Sequence, residues 1–146
     1  MHEVVDSITV SRRPHVVWPV LADFAGIARW APNVDHSSLT TAMTDGLGAT
    51  RRVQVGRTAL LETITDWQPE LRLAYELQGL PPVVRSAINT WTLEPVAAST
   101  VVTLQTAIDA GPRPPQQVVA RVIGRVMAKA SEQMLAGLKA HIEEST

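Results

Sequence analysis

The chain has no cysteine, one tyrosine and one phenylalanine. Without cysteine there are no disulfides, no thiol nucleophile and no cysteine-ligated zinc. The lone tyrosine and phenylalanine, with four scattered tryptophans beside them, make no row of stacking platforms of the kind that binds single-stranded nucleic acid. Neither sign of charge is in excess: 13 Lys plus Arg stand against 14 Asp plus Glu, a formal net charge of -1. That balance leaves no electrostatic footprint for nucleic acid. No stretch reaches the ~20 apolar residues of a membrane-spanning helix. Met1 to Val10 alternates polar and apolar residues and lacks the apolar core of a leader peptide. The expectation is a soluble, cytoplasmic protein with no nucleic-acid partner and no stable membrane insertion, either monomer or homodimer.

Several chemical motifs are missing as well. There is no Gly-x-Ser-x-Gly elbow, no P-loop and no His-Glu-x-x-His. Gly46-Leu47-Gly48 lacks a third glycine and lies between two strand-like segments, so it reads as a turn. His2, His15, His36 and His141 show no ligand spacing, so neither a metal nor a cofactor is expected. Ser37, Ser38 and Ser86 have no evident base beside them.

What is present is enough to build a core. At 146 residues, 45% hydrophobic and 18% charged, residues 1–146 are expected to form a single domain. Val4 to Ser11 reads as a strand. Pro14 suits the first turn of a helix, with Ser11 as its candidate cap, and Val16, Val17, Val20 and Leu21 mark that helix. Phe24 to Trp30 reads as a second short helix, stopped at Ala31-Pro32. Residues 34–41 form a weak strand. Five strands then follow over residues 49–56, 59–67, 71–78, 84–93 and 100–109, joined by short turns that imply antiparallel neighbours.

From Arg113 to Glu144, Val119, Ile123, Val126, Met127, Ala130, Met134 and Leu138 recur on one side of a helix. Arg121, Arg125, Lys129, Glu132, Lys139 and Glu143 fall on the other. Such a helix spans roughly 45 Å and needs a large apolar partner. The predicted class is α+β: a curved antiparallel sheet of about seven strands, two short helices after the first strand, and a long C-terminal helix. A long helix crossing a curved sheet tends to leave a hollow, and function is sought there.

The turn at Arg57-Thr58 sets Val55 opposite Leu60, Val53 opposite Glu62 and Arg51 opposite Ile64. Carried through the later hairpins, this register turns Arg51, Val53, Glu62, Tyr75, Arg85, Asn89, Trp91 and Thr106 toward the helix. Trp67 points outward if its strand runs straight. The long helix adds Met127 and Met134. Apolar walls with a few oriented polar groups are the composition of a small-molecule pocket. Arg51 and Glu62 are expected to pair, since an unpaired buried charge is too costly. Trp18 and Trp30 read as core plugs, and Trp91 as a cavity wall. Gly79-Leu80-Pro81-Pro82 has the composition of a shaped lid. His141 lies on the apolar side of the last turn. Gly137 on that side calls for close approach of another backbone, whereas Gly124 has no explanation in the pattern.

The order of elements, with Pro14-His15-Val16-Val17-Trp18, Leu21-Ala22-Asp23-Phe24 and Trp30-Ala31-Pro32, resembles the START-like helix-grip (SRPBCC) superfamily. Ile64-Thr65-Asp66-Trp67-Gln68-Pro69, Trp91-Thr92-Leu93-Glu94-Pro95 and Ser99-Thr100-Val101-Val102 extend the likeness over nearly the whole chain, closest to the polyketide cyclase/dehydrase-type branch. The resemblance implies a helix-grip fold and a hydrophobic small-molecule partner, whether lipid, polyketide or aromatic metabolite. It also implies an alternative, a cyclase or aromatase that closes a reactive chain by aldol chemistry. Glu62 would be its base, with Arg51, Arg85 or Tyr75 stabilising the enolate; Glu62 and Arg85 lead as catalytic candidates. Fold alone does not choose between these. A protein-partner role would need a wide apolar patch outside the cavity, whereas the outward strand faces carry Arg52, Gln54, Arg72, Glu76 and Gln78.

Overall fold

The structure is a computed structural model and describes residues 2–111 and 114–144. Its strands are β1 (His2–Val10), β2 (His36–Leu39), β3 (Thr50–Val55), β4 (Thr58–Gln68), β5 (Arg72–Gln78), β6 (Ser86–Val96) and β7 (Ser99–Asp109). Helix α1 (Pro14–Ala22) and a short 3-10 segment (Phe24–Arg29) follow β1, and α2 (Pro114–Glu144) comes last. The strands form one antiparallel sheet in the order β1-β7-β6-β5-β4-β3-β2. This is the expected α+β helix-grip architecture.

Alternation builds the sheet's inner face. Along β7, Val102, Leu104, Thr106 and Ile108 are buried while their neighbours are half-exposed, the period of a strand with one dry side. Residues 3, 5 and 7 of β1 are exposed, so that edge strand also turns a single face inward. In α1, Pro14 occupies the first turn, as expected, but the cap residue is Arg13 and no side chain caps the helix. Ser11 instead gives its backbone N–H to Glu143 Oε2 at 2.9 Å.

Helix α2 runs alongside β1 in the same direction. At one end, a Cβ on Gly124 would strike the imidazole of His2. At the other, Lys139 Nζ donates to the Thr9 carbonyl at 2.7 Å and to Glu143 Oε2 at 2.8 Å. Gly124, unexplained by the helical pattern, is therefore the point where helix and edge strand touch. A Cβ on Gly137 would collide with the Trp30 carbonyl and lie 2.6 Å from Pro32 Cδ, the close approach its inward position called for. Gly costs ~1 kcal/mol against Ala inside a helix, and both contacts give that cost a structural return.

The β3–β4 register differs from expectation by two residues. Val55 pairs with Thr58, Val53 with Leu60 and Arg51 with Glu62. The turn is Gly56-Arg57, with Gly56 at φ +59°, a left-handed conformation that favours glycine. A slip of two preserves facing, so Arg51, Val53 and Glu62 remain inward. In β4 a bulge falls between Ile64 and Asp66. It reverses the facing of Trp67, which packs edge-on against Trp18 with ring centroids 5.1 Å apart. The expectation that Trp67 points outward fails for that reason.

Candidate functional site

Between the sheet and the middle of α2 lies a cavity of about 330 Å³. Its rim is formed by Val55 and Thr58 at the β3–β4 hairpin, Leu80 and Pro81 from the β5–β6 loop, and Val122 and Val126 of α2. Its floor is buried and includes Val34, Val53, Leu77, Ser131 and Met134. Besides Ser131, three more buried polar side chains reach the floor: Glu62, Asn89 and Thr106.

Each polar group is positioned by the sheet. Glu62 sits opposite Arg51, whose Nε donates to Glu62 Oε1 at 2.7 Å. Arg51 Nη1 donates to the Phe24 carbonyl at 2.9 Å. The guanidinium lies 3.8 Å from the Phe24 ring centroid and 4.7 Å from that of Tyr75. Arg51 is only 2% exposed. A charge so deep persists because paired oxygens and ring faces surround it.

A second chain of contacts crosses β5, β6 and β7. Thr106 Oγ1 donates to Asn89 Oδ1 at 2.6 Å, and Asn89 Nδ2 approaches Tyr75 Oη at 3.4 Å. Trp91 Nε1 donates to the same hydroxyl at 3.1 Å. Burial, and then the Glu62 carboxylate, push the Tyr75 phenol above its ordinary 10.0; the proton stays on oxygen at neutral pH. These cross-strand partners form a scaffold beneath the floor that holds Asn89 in one orientation.

Among the expected site residues, Val53, Glu62, Asn89, Thr106, Met127 and Met134 line the cavity. Arg51, Tyr75 and Trp91 stand behind the wall instead. Trp91 is 1% exposed and meets Trp30 edge-on at 5.7 Å, so it is core and not a wall. Arg85 is a correction: it is exposed, just before β6, and its guanidinium lies near Gly111. The expected inward parity breaks because β6 starts only at Ser86. Val126, placed on the apolar side by its spacing, is 68% exposed at the rim.

The sequence pattern missed Asn33, Val34 and Ile27, which reach the cavity from the segment between α1 and β2. Asn33 and Val34 lie in irregular chain and Ile27 in a short 3-10 segment, neither long enough to carry a periodicity from which to infer a facing. The orphaned Oδ1 of Asn33 is a structural signal only. Among the described residues, no group of three or more His, Asp or Glu side chains is placed to hold a metal ion. No helix among them is long and apolar enough to cross a membrane.

The fold agrees with comparisons to known proteins. No curated protein sequence matches the chain. The Zhui aromatase/cyclase from Streptomyces sp. R1128 has a similar structure, with a TM-score of 0.81 and 19% identity over 98% of this chain and 94% of that one. The di-domain aromatase/cyclase BexL of the BE-7585A biosynthetic pathway superposes with a TM-score of 0.79 at 23% identity, covering 98% of this chain and 47% of that one. A START superfamily protein from Mycobacterium smegmatis gives 0.78 at 14% identity over 100% of both chains. Identities this low speak for the shared fold alone. The family model described as polyketide cyclase / dehydrase and lipid transport matches residues 1–143, and the chain belongs to that family.

Proposed function

We propose that this protein binds a hydrophobic small molecule in the cavity beneath α2, with the ligand's polar end at the floor. One observation carries the reading: about 330 Å³ of space with apolar walls and four buried polar side chains at its base. Interiors are otherwise packed to crystal-like density, and a void of this size forfeits stability unless something fills it. The volume lies at the lower end of the range for small-molecule sites, which favours one compact ring system or a single chain. Leu80 and Pro81 at the rim give the β5–β6 loop the position of a lid.

The cyclase alternative keeps Glu62 as a base at the floor. It loses Arg85, and it finds Arg51 committed to Glu62 and to the Phe24 carbonyl. A base without a cation facing the ligand supports enolate chemistry poorly, so binding is the better-supported role.

Methionine-methyl NMR tests the proposal directly. The chain has four methionines; Met127 and Met134 line the cavity, while Met43 is half-exposed in the β2–β3 loop. Naphthalene derivatives and medium-chain lipids are the probes. Saturable shifts at Met127 and Met134, with Met43 unmoved, are expected. Probes that leave both methyls in place, together with purified protein that carries no co-purifying lipid in native mass spectrometry, would reject the reading.

A further inference from the structure

We propose that the cavity selects uncharged hydrophobic ligands carrying a hydroxyl, and turns away carboxylates of the same shape. This rests on the cavity being a ligand site, as proposed above.

Glu62 is the one charged residue on the described wall; no Lys, Arg or His reaches it. Its partner Arg51 is buried behind it and committed to Glu62 Oε1 at 2.7 Å and the Phe24 carbonyl at 2.9 Å. One face of the guanidinium is closed by the Phe24 ring at 3.8 Å. A ligand at the floor therefore meets the carboxylate and not the cation. Thr106 Oγ1 gives its proton to Asn89 Oδ1 at 2.6 Å, so it has only lone pairs left for a ligand. Asn33 also lines the cavity, and its buried Oδ1 has no partner among the described residues. The Asn89 amide is turned toward Tyr75 Oη at 3.4 Å.

The wall thus offers acceptors, the hydroxyls of Thr58 and Ser131 that can donate or accept, and no cation. A ligand carboxylate would bring more acceptors and an uncompensated charge of its own into an apolar hollow where no free cation faces it. Such a charge, unpaired, is expensive to bury. An ammonium finds its counter-charge already cancelled by Arg51, and pays its own desolvation for little net attraction. An alcoholic, phenolic or enolic hydroxyl brings a donor for Glu62 and the Asn33 and Thr106 oxygens, and no charge. A hydrogen bond to an ionised acceptor outweighs one between neutral groups.

The experiment compares four probes of one shape at neutral pH: naphthol, its methyl ether, naphthoate and naphthylmethylammonium. Affinity is read by calorimetry, and location by the Met127 and Met134 methyls. Naphthol is expected to bind at least roughly tenfold tighter than each of the others, the worth of one hydrogen bond to a charged acceptor. Equal or tighter binding of the ether, the carboxylate or the ammonium would overturn the selectivity while leaving the ligand site intact. Absence of binding by all four would remove the selectivity and the binding role together. Glu62→Gln should raise naphthoate relative to naphthol, because Arg51 then lacks its anion. If that variant fails to fold, Thr106→Val serves: naphthol should weaken severalfold and naphthoate should not. A naphthol advantage unchanged in every folded variant would also refute the assignment.

Discussion

Filling the hollow should stabilise the protein and abolish its binding at the same time. Val53 is the position for this test, being buried at 2% exposure in β3 and part of the cavity wall. Phenylalanine there is a good strand residue and adds four carbons. At ~0.8 kcal/mol per buried CH₂ the upper bound on the gain is about 3 kcal/mol. Ordering the larger side chain takes back about 0.5–1 kcal/mol, and imperfect fit removes more. A net gain of about 1–2 kcal/mol matches what cavity-filling changes commonly deliver, and corresponds to a rise in Tm of roughly 3–7 °C. Thermal and urea denaturation would measure the stability of Val53→Phe, and titration with naphthol its affinity. Higher stability with binding lost is the expected pair. A loss of several kcal/mol would mean that no space exists to receive the ring, and the reasoning about the cavity would fall.

Three further outcomes are expected. Glu62→Gln should cost about 3–5 kcal/mol in urea denaturation, because it leaves Arg51 charged, buried and without its anion. Gly137→Ala gains ~1 kcal/mol of helix propensity but drives a methyl into the Trp30 carbonyl; a net loss of about 1–3 kcal/mol is expected from overpacking, whereas a more stable variant would disprove that contact. The Lys139 ammonium and the Ser11 N–H hold the Glu143 carboxyl down from 4.5 to about 2. Its contribution to stability is present above pH 4.5 and fades as pH falls toward 2. In Lys139→Ala, the Glu143 carboxyl followed by NMR should titrate closer to its ordinary value.

The parts of this fold that could be read from the sequence are those with strict periodicity. The alternation in β7 and the apolar spacing of α2 located both elements to within a residue or two. Inward facing survived at Arg51, Val53 and Glu62 even though the hairpin turn sits at Gly56-Arg57, because an even slip conserves parity. Where a strand broke its period, reading failed. The bulge after Ile64 turned Trp67 inward, and the late start of β6 left Arg85 outside. Asn33 and Val34 lie in irregular chain, where facing is set only by tertiary packing. The glycine at 124 shows the same limit: its reason is a histidine more than a hundred residues away, and no local pattern records that.

The pairing of β1 with β7 joins residues 2–10 to residues 100–108, and α2 closes over that seam. Contacts so distant along the chain make for slow assembly, and here they decide when the pocket exists at all. During synthesis the earliest-made strand must wait for the latest-made one, and the roof can settle only after both have met. A ligand of the kind proposed would therefore meet a finished container and enter through its rim.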